Sequence, residues 1–195
     1  MATIPRIEST RGIVSLVFFA SKLLLYCGMV ENPKSILISG ASSGIGRALA
    51  LEYAAPDVRL AICGRNDERL AEVARLCREK GARVDYRTVD VQDRHATAEW
   101  VLSADTELPL DLLIANAGIA SGTGVDGTEE EQTRDIFAVN LAGTLNTVLP
   151  AIARMKQRRC GQIALVSPHP RLRRLPSVPP SPASKAPLRL PGAGP

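Results

Sequence analysis

Short apolar runs alternate with longer segments of helical periodicity between residues 34 and 167. The predicted strands are 35–40, 58–64, 83–91, 110–118 and 161–167, and the predicted helices are 47–55, 66–81, 95–104 and 128–156. In the second helix, apolar residues recur at i, i+3, i+4 and i+7, which predicts one buried face: Leu70, Val73, Ala74 and Cys77. Strict alternation of strand and helix predicts an α/β fold, a doubly wound parallel sheet with helices on both faces.

Both ends of the chain depart from this pattern. Residues 12–30 are apolar but are interrupted by Lys22, and they are marginal for a spanning helix, which needs about 20 apolar residues. Three alternatives remain open: a weak membrane anchor, an amphipathic surface helix, or residues upstream of a true start at Met29. We favour the third and expect a chain that starts at Met29 to fold. The predicted division is an N-terminal extension, a nucleotide-binding domain and a tail: residues 1–28, 29–167 and 168–195.

The net charge of +4 conceals an asymmetry along the chain. Residues 1–135 carry 15 basic and 20 acidic side chains, whereas residues 136–195 carry nine basic side chains and no acidic one. Nine of the 14 prolines lie between Pro168 and Pro195, so this basic tail is expected to be disordered. Such a tail would suit an interaction protein that binds phosphate groups. Aromatic residues make up only 4% of the chain, however, and no nucleic-acid partner is expected.

The cysteines give no support for a metal site. They are scattered, without a CxxC motif or a cluster with histidine, at Cys27, Cys63, Cys77 and Cys160. This spacing is typical of reduced thiols in the cytoplasm. A cytoplasmic location is therefore predicted, with membrane association through residues 12–30 as the lesser alternative.

A glycine-rich stretch, SGASSGIGRA (39–48), follows the first predicted strand of the domain. Ligands of open parallel sheets bind at the carboxyl ends of the strands. Gly40, Gly44 and Gly46 allow a tight turn in which backbone N–H groups approach a phosphate. The helix that follows presents the positive end of its dipole to the same anion. The stretch is therefore a candidate dinucleotide site.

Four motifs occur in an order that resembles the short-chain dehydrogenase/reductase (SDR) family over residues 34–167: SGASSGIG, Asp90–Val91, NAG at 116–118 and Asn140 in FAVNLAG. The resemblance implies a Rossmann-type fold and a bound nicotinamide dinucleotide. It also implies reversible hydride transfer between that cofactor and a small alcohol or carbonyl substrate. Further strands that the family carries after residue 167 are not recognisable, so the sheet is expected to be incomplete at the C-terminus, and a family-type homo-oligomer is left open.

The resemblance also implies roles for individual residues. The implied pyrophosphate turn comprises Gly40, Ser42, Ser43, Gly44, Ile45 and Gly46. Asp90 and Val91 would receive the adenine edge, and the loop of Asn116, Ala117 and Gly118 would lie behind the adenosine ribose. Asn116 would also brace the central sheet, and Asn140 would hold a water in the proton relay. Taken singly, Asp90 is equally consistent with a turn cap and Asn140 with a satisfied helix residue.

The end of the second strand of the domain favours NADP over NAD. An acid at that position would bind the ribose 2′-hydroxyl of NAD and repel a 2′-phosphate. Here Gly64 stands at that position and Arg65 follows it. A guanidinium can hold a phosphate through two parallel hydrogen bonds, whereas the alternative is a solvated surface arginine. NADP is therefore the predicted cofactor, and NAD is the less favoured one.

The tail covers the positions where the resemblance implies a catalytic serine, tyrosine and lysine. Lys185 matches the lysine, whose ammonium would bind the nicotinamide ribose and lower the tyrosine pKa from about 10. Ser181 and Pro168 stand at the expected tyrosine and serine positions. Loss of a positioned general acid lowers rates by about 10²- to 10⁴-fold. Pro182 and Pro187 would also break the helix that should carry Lys185.

Three classes of function follow from these observations. The first is an NADP-dependent oxidoreductase by descent, with impaired turnover. The second is a catalytically inactive NADP-binding protein, or the product of a truncated gene. The third is an interaction protein that uses its basic tail.

Overall fold

The structure, a computed structural model, describes residues 15–19, 22–26, 30, 32–119 and 128–166, the first two segments by their backbone alone. The elements in chain order are β1 (Ser15–Phe19), β2 (Lys22–Tyr26), β3 (Ser35–Ser39), α1 (Gly44–Tyr53), β4 (Arg59–Gly64), α2 (Asp67–Glu79), β5 (Arg83–Thr88), α3 (Arg94–Glu107), β6 (Leu112–Ala115), α4 (Glu129–Phe137), a π-helical segment (Ala138–Gly143), α5 (Thr144–Arg158) and β7 (Gln162–Val166). From β3 onward they confirm the predicted alternation of strand and helix.

The strands form one sheet in the order β1-β2-β7-β6-β3-β4-β5. Five neighbouring strands run parallel, in the order β7-β6-β3-β4-β5. Leu37 of the central strand β3 pairs with Ala61 of β4 on one side and with Leu113 of β6 on the other. The chain moves outward from β3 to β5 and then returns to the other side of β3 with β6. The strand order therefore reverses between β3 and β6, and a doubly wound sheet binds its ligand at this place.

Helices cover both faces of the central strands. Ile36 and Ile38 of β3 belong to a core that also contains Leu70 and Val73 of α2. Leu37, between them, belongs to the opposite core with residues of α3 and α5. This alternation follows from the pleat of a strand and explains why β3 is apolar at successive positions. Each such fully buried side chain contributes about 1.5–3 kcal/mol to stability.

Two strands, β5 and β6, end three residues before the positions that the sequence predicts. β5 ends at Thr88, where β4, its partner in the ladder, also ends. β6 ends at Ala115, because the N–H groups of Asn116 and Ala117 donate to Oγ of Ser39 and leave the strand ladder. The last residues of both predicted strands are therefore loops at the carboxyl edge of the sheet.

The long predicted helix is divided by the π-helical segment Ala138–Gly143, which separates α4 from α5. The hydrophobic pattern gives no sign of the extra residue that a π turn inserts. The run Glu129–Arg158 is long and apolar enough, by length and composition, to cross a membrane. Val148, Ala151 and Met155 are nevertheless buried in the core between α5 and the sheet, and this packing accounts for the apolar composition.

The apolar N-terminal segment contains two strands, which the sequence did not predict. β1 and β2 form an antiparallel hairpin, and β2 pairs antiparallel with β7, with Leu24 opposite Ala164. Over residues 15–19 and 22–26 the two helical alternatives, a spanning helix and a surface helix, are therefore wrong. Leu, Val, Phe and Tyr suit a strand as well as an apolar helix, and the open edge of β7 provides the pairing partner. Residues 1–14 and the tail 168–195 lie outside the described residues.

Candidate functional site

The segments that the sequence singled out lie at one edge of the sheet. The glycine turn follows β3, Arg65 follows β4, Asp90 and Val91 follow β5, and the loop 116–118 follows β6. These four parallel strands are neighbours in the order β5-β4-β3-β6. The predicted cofactor-binding residues are therefore brought together at the carboxyl edge, around the place where the strand order reverses.

The glycine turn depends on its glycines in two different ways. Gly40 and Gly44 have φ angles of 69° and 54°, in the left-handed region that side chains other than glycine rarely adopt. Gly46 is required for space, since a Cβ there would lie 2.2 Å from the carbonyl oxygen of Gly40 and 2.5 Å from Nδ2 of Asn116. The turn thus folds back on itself and packs directly against the loop after β6.

Ser39 and Asn116 join these two loops by reciprocal hydrogen bonds. Oγ of Ser39 accepts from the N–H groups of Asn116 (3.1 Å) and Ala117 (3.2 Å). In return, Nδ2 of Asn116 donates to the carbonyl oxygens of Ser39 (3.1 Å) and Gly40 (3.0 Å). Asn116 therefore braces the sheet between β3 and β6, at the point where the strand ladder opens.

The N-terminus of α1 lacks the side-chain cap that α2, α3 and α4 have. Asn66, Asp93 and Thr128 each accept a hydrogen bond from a backbone N–H in the first turn of α2, α3 and α4, respectively. Ser43, the N-cap residue of α1, accepts none. The first N–H donors of α1 are thus left for an anionic ligand, and this turn fits a pyrophosphate.

The end of β4 contacts the glycine turn through Ser42. A Cβ at Gly64 would lie 3.1 Å from Oγ of Ser42, so little room exists for a side chain there. Arg65 is exposed, and its side chain forms no ion pair with any residue that the structure describes. Next to the turn lies a cleft of about 400 Å³, called here the α1–α2 cleft, lined by Ser42, Ser43, Gly44, Arg47, Glu68, Arg69 and Glu72.

Cys63 lies at the end of β4 below the turn, and its backbone carbonyl accepts from the N–H of Ala41 at 2.9 Å. Its thiol is fully buried, and this burial raises the pKa of Cys63 to about 12. The thiolate is therefore negligible at neutral pH, and Cys63 serves as a packing residue rather than a nucleophile.

The loop of Asp90 and Val91 is held in place by the helix that begins after the π segment. Nδ2 of Asn146 donates to the carbonyl oxygen of Val91 at 2.9 Å. A Cβ at Gly143 would lie 2.5 Å from Cγ2 of Val91, so the helix approaches the loop closely. Oδ1 of Asp90 accepts from the N–H of Gln92 at 3.0 Å. Asp90 thus caps a turn, and its contact with an adenine stays a prediction.

Asn140 is fully buried within the π-helical segment. Its Oδ1 accepts from the N–H of Ile119 at 2.9 Å, and its Nδ2 donates to the carbonyl oxygen of Ile119 at 2.9 Å. The side chain therefore holds the loop after β6 against the helix. Its role in a proton relay stays a prediction. π turns are frequent at functional sites, where they redirect one residue of a helix.

Sequence reasoning missed several residues of the site. Ser39 opens the glycine-rich stretch, but nothing local in the sequence indicates its two N–H partners. Gly143 and Asn146 are one helical turn apart, a spacing that predicts a shared face but not its contact with Val91. Arg47 lies within the stretch 39–48 and the predicted helix 47–55, but the sequence indicated no role of its own for it, although it lines the α1–α2 cleft.

The three expected catalytic positions in the tail, Lys185, Ser181 and Pro168, lie outside the described residues. Among the described residues, the candidate site thus comprises the predicted cofactor-binding residues, with Asn140 as the sole member of the predicted catalytic set.

Comparison with known proteins gives the following matches. The family model for short chain dehydrogenase matches residues 34–190. A 3-dehydrosphinganine reductase of Arabidopsis thaliana is 30% identical over 152 residues, which are 73% of this chain and 45% of that protein. The chain spans about half the length of the curated relatives it matches.

Solved structures agree with this match. A variant of actinorhodin polyketide ketoreductase with NADPH is 28% identical, with a TM-score of 0.58 over 65% of this chain and 49% of that chain. A 3-ketoacyl-ACP reductase of Sinorhizobium meliloti is 34% identical, with a TM-score of 0.55 over 63% of this chain and 49% of that chain.

Proposed function

The chain belongs to the short chain dehydrogenase family, and on this premise we propose that it binds NADP(H) at the glycine turn. The proposed reaction class is hydride transfer between NADP(H) and an alcohol or carbonyl substrate, with impaired turnover by this chain. The observation that carries the choice of NADP is the end of β4. The last residue of β4 is Gly64 rather than an acid, with little space for a side chain there, and the exposed Arg65 that follows it forms no ion pair with any described residue.

The residues of the glycine turn and of the loop after β6 would hold the cofactor. The uncapped N-terminus of α1 would bind the pyrophosphate through backbone N–H groups. Arg65 would bind the ribose 2′-phosphate, and Asp90 and Val91 would contact the adenine. When bound, NADP(H) supplies or accepts the hydride, a reaction that no side chain can perform.

Impaired turnover is proposed from the residues at the expected catalytic positions. Ser181 has a shorter and much less acidic hydroxyl than a tyrosine, and Pro168 has no side-chain donor for a substrate carbonyl. Lys185 alone has no phenol whose pKa it can lower. Binding of NADP(H) without turnover is therefore the second candidate function, and the same two residues favour it.

Calorimetric titration of the full chain with NADPH and NADH tests the choice of cofactor. We expect tighter binding of NADPH, and we expect Arg65→Asp to remove that preference. Arg83→Asp is the matched control, because it makes the same change of charge at the amino end of the exposed strand β5. Equal affinity of the unaltered chain for both cofactors would contradict the proposal.

Oxidation of NADPH in the presence of ketones and aldehydes tests turnover. The panel includes a 3-ketoacyl compound, because one similar structure is named a 3-ketoacyl-ACP reductase. A positioned general acid raises rates by about 10²- to 10⁴-fold. We therefore expect this chain to oxidise NADPH more slowly, by a factor of that size, than an enzyme that has such an acid. Ser181→Tyr with Pro168→Ser should not restore them fully, since Pro182 and Pro187 still interrupt the helix that would aim the side chains. Unimpaired reduction of a simple ketone would contradict this part of the proposal.

A further inference from the structure

The α1–α2 cleft carries a cation to which the family resemblance gives no role. Arg47, in the first turn of α1, lines this cleft together with Ser42 and Ser43 of the glycine turn. Its side chain is exposed and forms no hydrogen bond or ion pair within the described part of the chain. An unpaired guanidinium beside a turn that fits a pyrophosphate is well suited to a further phosphate group of the same ligand.

Two carboxylates that line the same cleft, Glu68 and Glu72, would compete for this guanidinium. Glu68 forms no ion pair with Arg47 among the described residues. The pKa of Glu72 is lowered mainly by its hydrogen bond from Arg75 and to a lesser extent by the nearby charge of Arg47. Glu72 and Arg47 are thus close enough to attract one another, but they form no ion pair within 4.0 Å in the residues described. Glu72 instead pairs with a different residue, which keeps its carboxylate away from Arg47.

Arg75 provides that contact. Its Nε and Nη2 donate to the two carboxylate oxygens of Glu72, at 2.9 and 2.8 Å, in the bidentate geometry that is strongest for this pair. Its Nη1 also pairs with Glu79, one turn further along α2. Both oxygens of Glu72 are engaged by Arg75, and within the described residues Arg47 forms an ion pair with neither Glu72 nor Glu68.

We propose that Arg47 is a specificity-determining residue for the 2′-phosphate of NADP(H), and that Arg75 is a positioning residue that keeps Arg47 available by binding Glu72. The inference rests on the proposed function, because the 2′-phosphate is what distinguishes NADP from NAD. Ser42 lies near both arginines of the site. Its Oγ would be 3.1 Å from a Cβ at Gly64, the neighbour of Arg65, and it also lines the cleft with Arg47.

The test is calorimetry of the full chain with NADPH and, separately, with NADH. We expect Arg47→Gln to weaken NADPH binding about fivefold, the size of one partly screened charge-assisted hydrogen bond, and to leave NADH binding unchanged. Arg75→Gln should weaken NADPH binding about threefold, because the released Glu72 can pair with Arg47. The double variant Arg75→Gln with Glu72→Gln should restore the affinity for NADPH, and the control Glu79→Gln should leave it unchanged.

The outcomes separate this inference from the proposed function. Unchanged NADPH binding in Arg47→Gln, with loss of the preference in Arg65→Asp, overturns the role of Arg47 and leaves the proposed function standing. Failure of Glu72→Gln to rescue Arg75→Gln overturns the positioning role of Arg75. Equal affinity of the unaltered chain for NADPH and NADH overturns both the inference and the proposed function.

Discussion

At the scale of single residues, the site is organised by close backbone approach. Gly40, Gly46 and Gly143 are all positions at which a Cβ would overlap a neighbouring atom, at 2.7, 2.2 and 2.5 Å, respectively. Ser39 and Asn116 provide the hydrogen bonds that compensate for the opening of the sheet between β3 and β6. The missing Cβ atoms bring the loops together, and these hydrogen bonds hold them in register.

The substitution Gly46→Ala tests the close approach. Helix propensity alone would raise stability by about 1 kcal/mol. The overlap with the carbonyl oxygen of Gly40 should outweigh this gain and lower the free energy of unfolding by about 1–3 kcal/mol, as measured by urea titration. Ala48→Gly, at an exposed position of the same helix, is the matched control and should lower it by the propensity difference alone. A more stable Gly46→Ala protein would show that the turn relaxes without strain.

At the scale of elements, the helices differ in whether a side chain caps their first turn. α2, α3 and α4 start at capping side chains, whereas α1 starts at Ser43, which caps nothing. At α4 the cap is reciprocal, because Oγ1 of Thr128 accepts from the N–H of Glu131 at 3.3 Å. In return, the N–H and the hydroxyl of Thr128 donate to Oε2 of Glu131 at 2.8 and 3.0 Å, respectively. These two hydrogen bonds stabilise the carboxylate form and lower the pKa of Glu131 below its ordinary value.

The start of α4 should therefore depend on pH. Because the pKa of Glu131 is lowered by folding, its stabilising contribution is present above the ordinary glutamate pKa and is lost as the pH falls through the folded value. We expect amide exchange in the first turn of α4 to accelerate over that range, and carboxyl NMR to give Glu131 a midpoint below the ordinary glutamate value. Glu131→Gln should flatten the pH dependence of amide exchange in this turn, and Glu129→Gln should not. A midpoint of Glu131 at or above the ordinary value would contradict the capping box.

At the scale of the whole molecule, the sheet extends beyond the five parallel strands through an N-terminal hairpin. β2 pairs with β7 over four residues, from Lys22 opposite Val166 to Leu25 opposite Ile163. An exposed, apolar edge strand favours aggregation, and the hairpin covers that edge of β7. The opposite edge strand, β5, carries charged residues at alternate positions: Arg83, Asp85 and Arg87.

Removal of residues 1–28 tests this pairing. The sequence favoured a domain that folds from Met29, whereas the pairing of β2 with β7 leads us to expect a less stable protein. The deletion should lower the midpoint of urea unfolding and increase association in size-exclusion chromatography. Removal of residues 1–14 retains both strands and is the control. An unchanged midpoint and a monomeric elution of the shorter protein would show that the hairpin contributes little.

The sequence by itself determined the local features of this protein. The alternation of strands and helices, the buried face of α2 and the glycine turn were all readable, because each depends on residues within about four positions of one another. The family could be read from four motifs in a specific order. The sequence also showed that residue 64 is a glycine rather than an acid. It did not show that Gly64 lies beside Ser42.

The tertiary structure alone decided which distant segments meet. Asn116 contacts Ser39 and Gly40 across 77 and 76 positions of sequence, and Asn140 holds Ile119 across 21. The pairing of the N-terminal hairpin with β7 is another example, because an apolar run suits a helix or a strand until a neighbouring strand offers its N–H and C=O groups. The availability of Arg47 depends in the same way on how α1 packs against α2 and on which carboxylate Arg75 engages. Local pattern sets the conformation of a segment, whereas burial and hydrogen-bond satisfaction over the whole chain select its partners.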